Sequence, residues 1–143
     1  MESFLARYRA ELILAGLVVL ALLFQGLIQS AHAAMYVSIT GLTPKGLLGT
    51  LRFWLLAVPS FRQAQKAEGN LFCEVRRIQN YQCTLTAWLS RESMLDYLGS
   101  GSHLKAMKAF RHIATGKSLG YEASSVPPWN EAFERLVRDG RDH

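Results

Sequence analysis

The stretch "NLFCEVRRIQNYQCTLTAWLS", residues 70–90, decides how this chain folds. Leu71, Cys73 and Val75 alternate with Phe72, Glu74 and Arg76; further on, Cys83, Leu85 and Ala87 alternate with Thr84, Thr86 and Trp88. A period of two belongs to a strand, whose successive side chains point to opposite faces. Between the two runs lies "IQNY", with Asn80 as a residue that tolerates positive φ, so the stretch reads as a hairpin. The turn length fixes where the two cysteines go. With Gln79-Asn80 as a two-residue turn, Cys73 lies opposite Thr86 and Cys83 opposite Arg76, on different faces. With a three-residue turn they share a face, only as diagonal neighbours. A disulfide needs Cα atoms within about 7 Å, and two free, half-buried thiols are expected. There is no CxxC and no His/Cys cluster at zinc spacing.

Working outward, "MYVSITGL" (35–42) alternates apolar and small polar residues and predicts a strand. Residues 47–69 predict a helix, with Leu48, Leu51, Leu55 and Val58 as a stripe at spacings of three and four. Pro59 predicts a kink or break near Ala57–Pro59, and Gly69 a stop. Beyond the hairpin, Ser90 is placed to cap "RESMLDYLG" (91–99), Gly99-Ser100-Gly101 ends that helix, and Ser102 is placed to cap "HLKAMKAFRHIA" (103–114). "GKSLGYEASSV" (116–126) predicts a last strand, closed by Pro127-Pro128, and Asn130 a cap for a terminal helix. The order β–α–β–β–α–β predicts an α+β chain of ferredoxin-like type, an antiparallel four-stranded sheet with helices on one face. The other face then needs a partner, and the sheet of a second copy is the simplest one.

The N-terminal end is different. No Asp, Glu, Lys or Arg occurs from Leu12 to Pro44, and "LILAGLVVLALLFQGLI" (12–28) holds Gln25 as its one strongly polar residue. At about 1.5 Å per residue, some 20 helical residues span a hydrocarbon core of roughly 30 Å. Residues 12–34 are therefore expected to cross a bilayer, dividing the chain into an anchor (1–34) and a soluble domain (35–143). The competing reading is a secretory signal, with Arg7 and Arg9 in front and the small-x-small "AHAA" at 31–34. Arg7 and Arg9 precede the run, Lys45 and Arg52 follow it, and that balance leaves the side of the soluble domain undetermined. Residues 35–143 hold 14 Lys and Arg against 9 Asp and Glu, which accounts for the net +5. That balance suits an anionic lipid surface or an acidic partner, or a plain solvated surface. No basic cluster interleaved with aromatics occurs, and nucleic acid is not expected as a partner.

Four stretches carry a resemblance: "YVSITGL" (36–42), "GNLFCEVRRIQNYQCTLTAW" (69–88), "SGSHLKAMKAF" (100–110) and "IATGKSLGYEASSVPPW" (113–129). They resemble a bacterial family placed beside the antibiotic-biosynthesis monooxygenase-like proteins, in the dimeric α+β barrel superfamily. The similarity covers roughly residues 35–130 and leaves the apolar N-terminus out. It implies a homodimer whose sheets face each other, with a pocket in each subunit between sheet and helices. Members of that superfamily include cofactor-free oxygenases of electron-rich aromatic substrates and haem proteins. The resemblance transfers no catalytic set, and no cofactor is expected, with haem as the alternative.

His103 is the candidate for chemistry. Near a helix start, the dipole and free N–H groups disfavour its charged form, and a neutral imidazole in a pocket is a base or a haem ligand. The other reading is structural: the ring bonds to the "GSGS" loop and fixes the bend between two helical pieces. Trp88, Thr84 and Thr86 share one strand face and are expected to line a site for a flat ligand, or to be core. Trp54 is pocket wall, membrane-interface anchor or core; Tyr121 is a phenol in the last strand able to bond a substrate. The function expected is a membrane-anchored monooxygenase-like protein acting on a hydrophobic aromatic or isoprenoid-like molecule. A non-catalytic accessory subunit of a larger membrane complex and a haem-binding protein are the alternatives.

Overall fold

The computed structural model describes residues 15–23, Gln25 and 34–143. The chain divides into two units between Ala33 and Ala34. In the first, residues 15–23 are helical and exposed. Most of the predicted span at 12–34, and Ala31 to Ala33 of the small-x-small motif, lie outside the described residues. Among the described residues no helix is long and apolar enough to cross a membrane.

The second unit runs β1 (Met35–Pro44), α1 (Gly46–Lys66), β2 (Asn70–Ile78), β3 (Tyr81–Trp88), α2 (Arg91–Leu98), α3 (Gly101–Ile113), β4 (Ala114–Ala123), α4 (Trp129–Asp139) and β5 (Arg141–Asp142). This is the ferredoxin-like α+β order. The sheet is antiparallel, in the order β2-β3-β1-β4-β5. The two-residue strand β5, unforeseen in the sequence, makes five strands where four were expected.

The hairpin turns on Gln79-Asn80, with Gln79 at φ 54°. The register follows: Cys73 pairs with Thr86, Cys83 with Arg76, Tyr36 with Trp88 and Ser38 with Thr86. Both thiols are free and lie on opposite faces. Burial pushes each up to about 11, so neither is a thiolate near neutral pH.

Two features of the helical layer differ from expectation. Helix α1 runs unbroken through Pro59. The proline costs the bond to the Leu55 carbonyl, but Leu55 and Pro59 both lie on the exposed side, where water takes that carbonyl. The predicted stripe is also not the packed face. Gly49, Phe53, Ser60 and Ala64 are buried, while Leu48, Leu51, Leu55 and Val58 point outward. Small residues let the helix approach closely: a Cβ on Gly49 would stand 3.0 Å from the Ile113 carbonyl oxygen. Helix α3 begins at Gly101 rather than after Ser102, and Asn130 lies inside the first turn of α4 rather than capping it. Ser90 caps α2 as expected, accepting from the Ser93 N–H at 3.2 Å.

The expected bare sheet face is not bare. Helices α1, α2 and α3 cover the face bearing Tyr36, Thr86 and Trp88, and α4 crosses to the other one. There Ala132, Phe133 and Leu136 pack on Val37, Ile39, Cys83, Leu85 and Ala87. The sheet is thus covered on both sides within one chain. Leu136 seats over Gly41, where a Cβ would come within 2.9 Å of its Cδ2. Leu136→Ala is expected to cost about 2–5 kcal/mol in urea unfolding, and the half-exposed Val137→Ala to stay within about 0.5 kcal/mol.

Candidate functional site

The chemistry-bearing side chains gather between the sheet and helices α1 to α3. Strand β3 contributes Trp88 and Thr86, which point the same way because two residues separate them. The Trp88 indole N–H donates to Thr86 Oγ1 at 2.9 Å, and that hydroxyl donates to the Ser38 carbonyl at 3.3 Å. Trp88 is wholly buried. Its ring stacks on Tyr97 of α2, with centroids 5.1 Å apart and planes 25° apart. Tyr97 donates to the Ser60 carbonyl of α1 at 3.1 Å, and burial pushes its phenol well above the ordinary range. Tyr36 completes the row beside Trp88, its ring so close over Gly120 that no side chain fits there.

His103 closes the layer. Its ring lies 4.5 Å from that of Tyr97, centroid to centroid. Its backbone N–H donates to Gln63 Oε1 at 3.0 Å, while Gln63 Nε2 donates to the Ser100 carbonyl and hydroxyl, each at 3.1 Å. Ser100, the N-cap of α3, makes no cap bond of its own. Gln63 of α1 therefore does the work of a cap from another helix. Gly101 makes this geometry accessible, with φ +53° and a Cβ position 2.8 Å from Gln63 Oε1. Gln63 thus holds the bend between α2 and α3. Nδ1 of His103 is buried without a hydrogen-bond partner among the described residues. Burial holds the imidazole below its ordinary value of 6.5, offset in part by a hydrogen bond to the Leu98 carbonyl. The result is a neutral imidazole with a free nitrogen beside stacked aromatic rings.

Of the sequence candidates, Trp88, Thr86 and His103 come together, and Thr84 shares their sheet face two residues along, half-buried. Tyr121 does not join them. It pairs with Val37 on the opposite face, under the Arg135 guanidinium at 4.9 Å, with its hydroxyl buried and unpartnered among the described residues. Trp54 points outward from α1. Tyr97, Gln63 and Tyr36 were not singled out by the sequence; only the hairpin register and the α1 packing place them here. A haem iron, like any ligand approaching Nδ1 of His103, would need the side chains around that atom to move. Two surface grooves lie elsewhere. One, of about 420 Å³, runs between α1 and α3; the other, of about 460 Å³, lies by Asn80 and His143.

With this geometry in place, solved structures give the context. SnoaB, a cofactor-independent oxygenase from Streptomyces nogalater, superposes with a TM-score of 0.55 at 15% identity, over 67% of this chain and 99% of that one. Rv0793 from Mycobacterium tuberculosis gives 0.56 at 10%, over 66% and 98%. A structure described as an antibiotic biosynthesis monooxygenase gives 0.53 at 9%, over 65% and 99%. The fold is that of the antibiotic-biosynthesis monooxygenase-like proteins. At these identities the likeness establishes fold alone. No protein-family model and no curated protein matches the chain.

Two outcomes are expected here. Gln63→Ala should cost about 1–3 kcal/mol, because it strands the His103 N–H and removes both bonds to Ser100; chemical unfolding measures it. His103 sets a pH dependence. Unfolded, it takes a proton near 6.5; folded, only at lower pH. The stability it contributes is full above 6.5 and is lost as pH falls through the lowered folded value. His103→Asn should flatten that part of the stability profile, which sets in as pH falls below about 7.

Proposed function

We propose that residues 34–143 form a monooxygenase-like protein of the cofactor-free kind, with His103 as its base. The supporting observation is the buried, unpartnered Nδ1 of a neutral imidazole, next to the Tyr97–Trp88 stack. A flat, electron-rich aromatic substrate is the ligand this chemistry suits. Entering between Trp88 and His103, it would displace Tyr97 and stack in its place. Nδ1 takes a proton from an acidic ring CH₂ of the substrate. The carbanion passes an electron pair to O₂, the proton returns to the peroxide as a C–OOH group forms, and loss of water leaves a ketone. One O₂ thus converts CH₂ to C=O and H₂O, with the substrate as reductant. SnoaB, of the same fold, is described as cofactor-independent. Membrane attachment through residues 12–34 would concentrate the protein where apolar substrates partition.

A second reading has its own observation. Trp88 is wholly buried, its indole N–H is satisfied and Tyr97 fills the space beside it. Such packing suits a non-catalytic subunit of a larger membrane complex. In either case a second copy would seat against α4 and the β2 edge, since the sheet face itself is covered.

Oxygen uptake by the full chain in mild detergent, with a panel of polycyclic hydroxyaromatic substrates, separates the two. The expected result is one O₂ consumed per substrate, with label from isotopic O₂ in the product. His103→Asn should lose about 10²–10⁴-fold in kcat, the usual worth of a general base. Turnover unchanged in that variant would refute the role of His103. No uptake, with other chains co-purifying, would favour the subunit.

A further inference from the structure

The outer face of α1 is apolar and bare. Leu47 (90% exposed), Leu48, Leu51 (59%), Leu55 (66%) and Val58 all face out, with Trp54 among them at 46%. A contiguous apolar patch at a surface marks an interaction site. Its border is cationic. Exposed Arg52, Arg62 and Lys66 lie on α1, and exposed Lys105, Lys108 and Arg111 on α3, which packs against it. Neither helix carries an acidic residue. On the other side of the sheet, α4 carries Glu131, Glu134 and Asp139, with Arg135 and Arg138 in ion pairs. The charge on α1 and α3 is thus of one sign and shares a side with the apolar stripe, while α2, in the same layer, carries exposed Glu92 and Asp96.

We infer that the face formed by α1 and α3 docks on an anionic lipid bilayer, with the α1 leucines inserted at headgroup level and the cations over the phosphates. Trp54 suits that depth, since its ring is amphipathic. A second copy of the chain fits the face poorly, because a two-fold contact would set the same six cations against one another. The inference does not rest on the oxygenase reading; a subunit with no turnover would dock the same way.

The test uses the full chain with vesicles of phosphatidylcholine alone or mixed with phosphatidylglycerol, both carrying brominated acyl chains that quench tryptophan. Trp54 is read as the difference between the wild type and Trp54→Phe. Its emission is expected to be quenched on the mixed vesicles, with that component absent from Trp54→Phe. The Arg52→Glu, Lys108→Glu double variant should weaken the partition of this face by about thirtyfold or more on mixed vesicles. The Leu51→Glu, Leu55→Glu double variant should abolish Trp54 quenching with circular dichroism unchanged, as both leucines are exposed. Three results would overturn the inference: a chain bound to vesicles with Trp54 unquenched, so that the apolar N-terminal run alone holds it; quenching indifferent to phosphatidylglycerol and to charge reversal; or Trp54 shielded in a lipid-free dimer.

Discussion

The pairing of β3 with β1 governs the rest of this structure. Strand side chains alternate, so a slip of one residue would exchange the two faces of the sheet. The two-residue turn at Gln79-Asn80 prevents that slip on one side, and the Tyr36–Trp88 pairing continues the register across the sheet. Once it is set, Trp88 and Thr86 must point toward α1 to α3, and Leu85 and Ala87 toward α4. The two layers then have different characters. The α4 side is mainly apolar, built on Val37, Ile39, Leu85 and Leu136 with Phe133, Tyr81 and Tyr121 around them. The side under α1 to α3 is aromatic and hydrogen-bonded, built on Trp88, Tyr97, Tyr36 and His103. An indole, a phenol and an imidazole each bring a polar atom into the interior, and each must find a partner or cost free energy. Trp88 and Tyr97 find theirs on the backbone or on Thr86. In this layer the imidazole Nδ1 is left over among the described residues, as the Tyr121 hydroxyl is on the other side of the sheet.

The sheet was legible because alternation is a local signal. Residues 35–42 and 70–90 carry their strand character, their turn and even the placement of both cysteines within a short span. Helix existence was legible for similar reasons, as with Ser90 and α2. What α1 buries was not. Hydropathy periodicity identifies an apolar stripe but assumes that the stripe faces inward. Here the inward strip is Gly49, Phe53, Ser60 and Ala64, chosen for close approach rather than for hydrophobicity. Pro59 misled for a related reason: its cost depends on which side of the helix the lost carbonyl faces, and that is a tertiary fact. The destination of α4 was equally invisible, since a helix with Phe133 and Leu136 one turn apart can lie on either side of a sheet.

The candidate site was legible in part. His103, Trp88 and Thr86 were found from residue type and strand phase. Tyr121 is in the right kind of strand but at the wrong parity, its partner being Val37 rather than Ser38. Tyr97 and Gln63 carry no local mark, because what matters about them is contact across 34 to 40 residues of sequence. Gln63 in particular looks like one more polar residue near the end of α1. Its carboxamide offers both an acceptor and donors, so one side chain caps α3 and holds Ser100 together.

The cysteines give the fold an unplanned instrument. Cys73 lies beneath the aromatic layer and Cys83 beneath α4, with the sheet between them. Cys83 is buried and Cys73 half-buried, so the alkylation rate of each, referred to its own accessibility in the fold, reports how often its cover lifts further. Where opening is local, the two rates are set by two separate free energies; where only global unfolding exposes them, the rates converge. The hairpin thus carries a paired clock, one hand for each layer. Comparing the hands tells whether the helices above His103 breathe independently of the sheet, as ligand entry past Tyr97 would require.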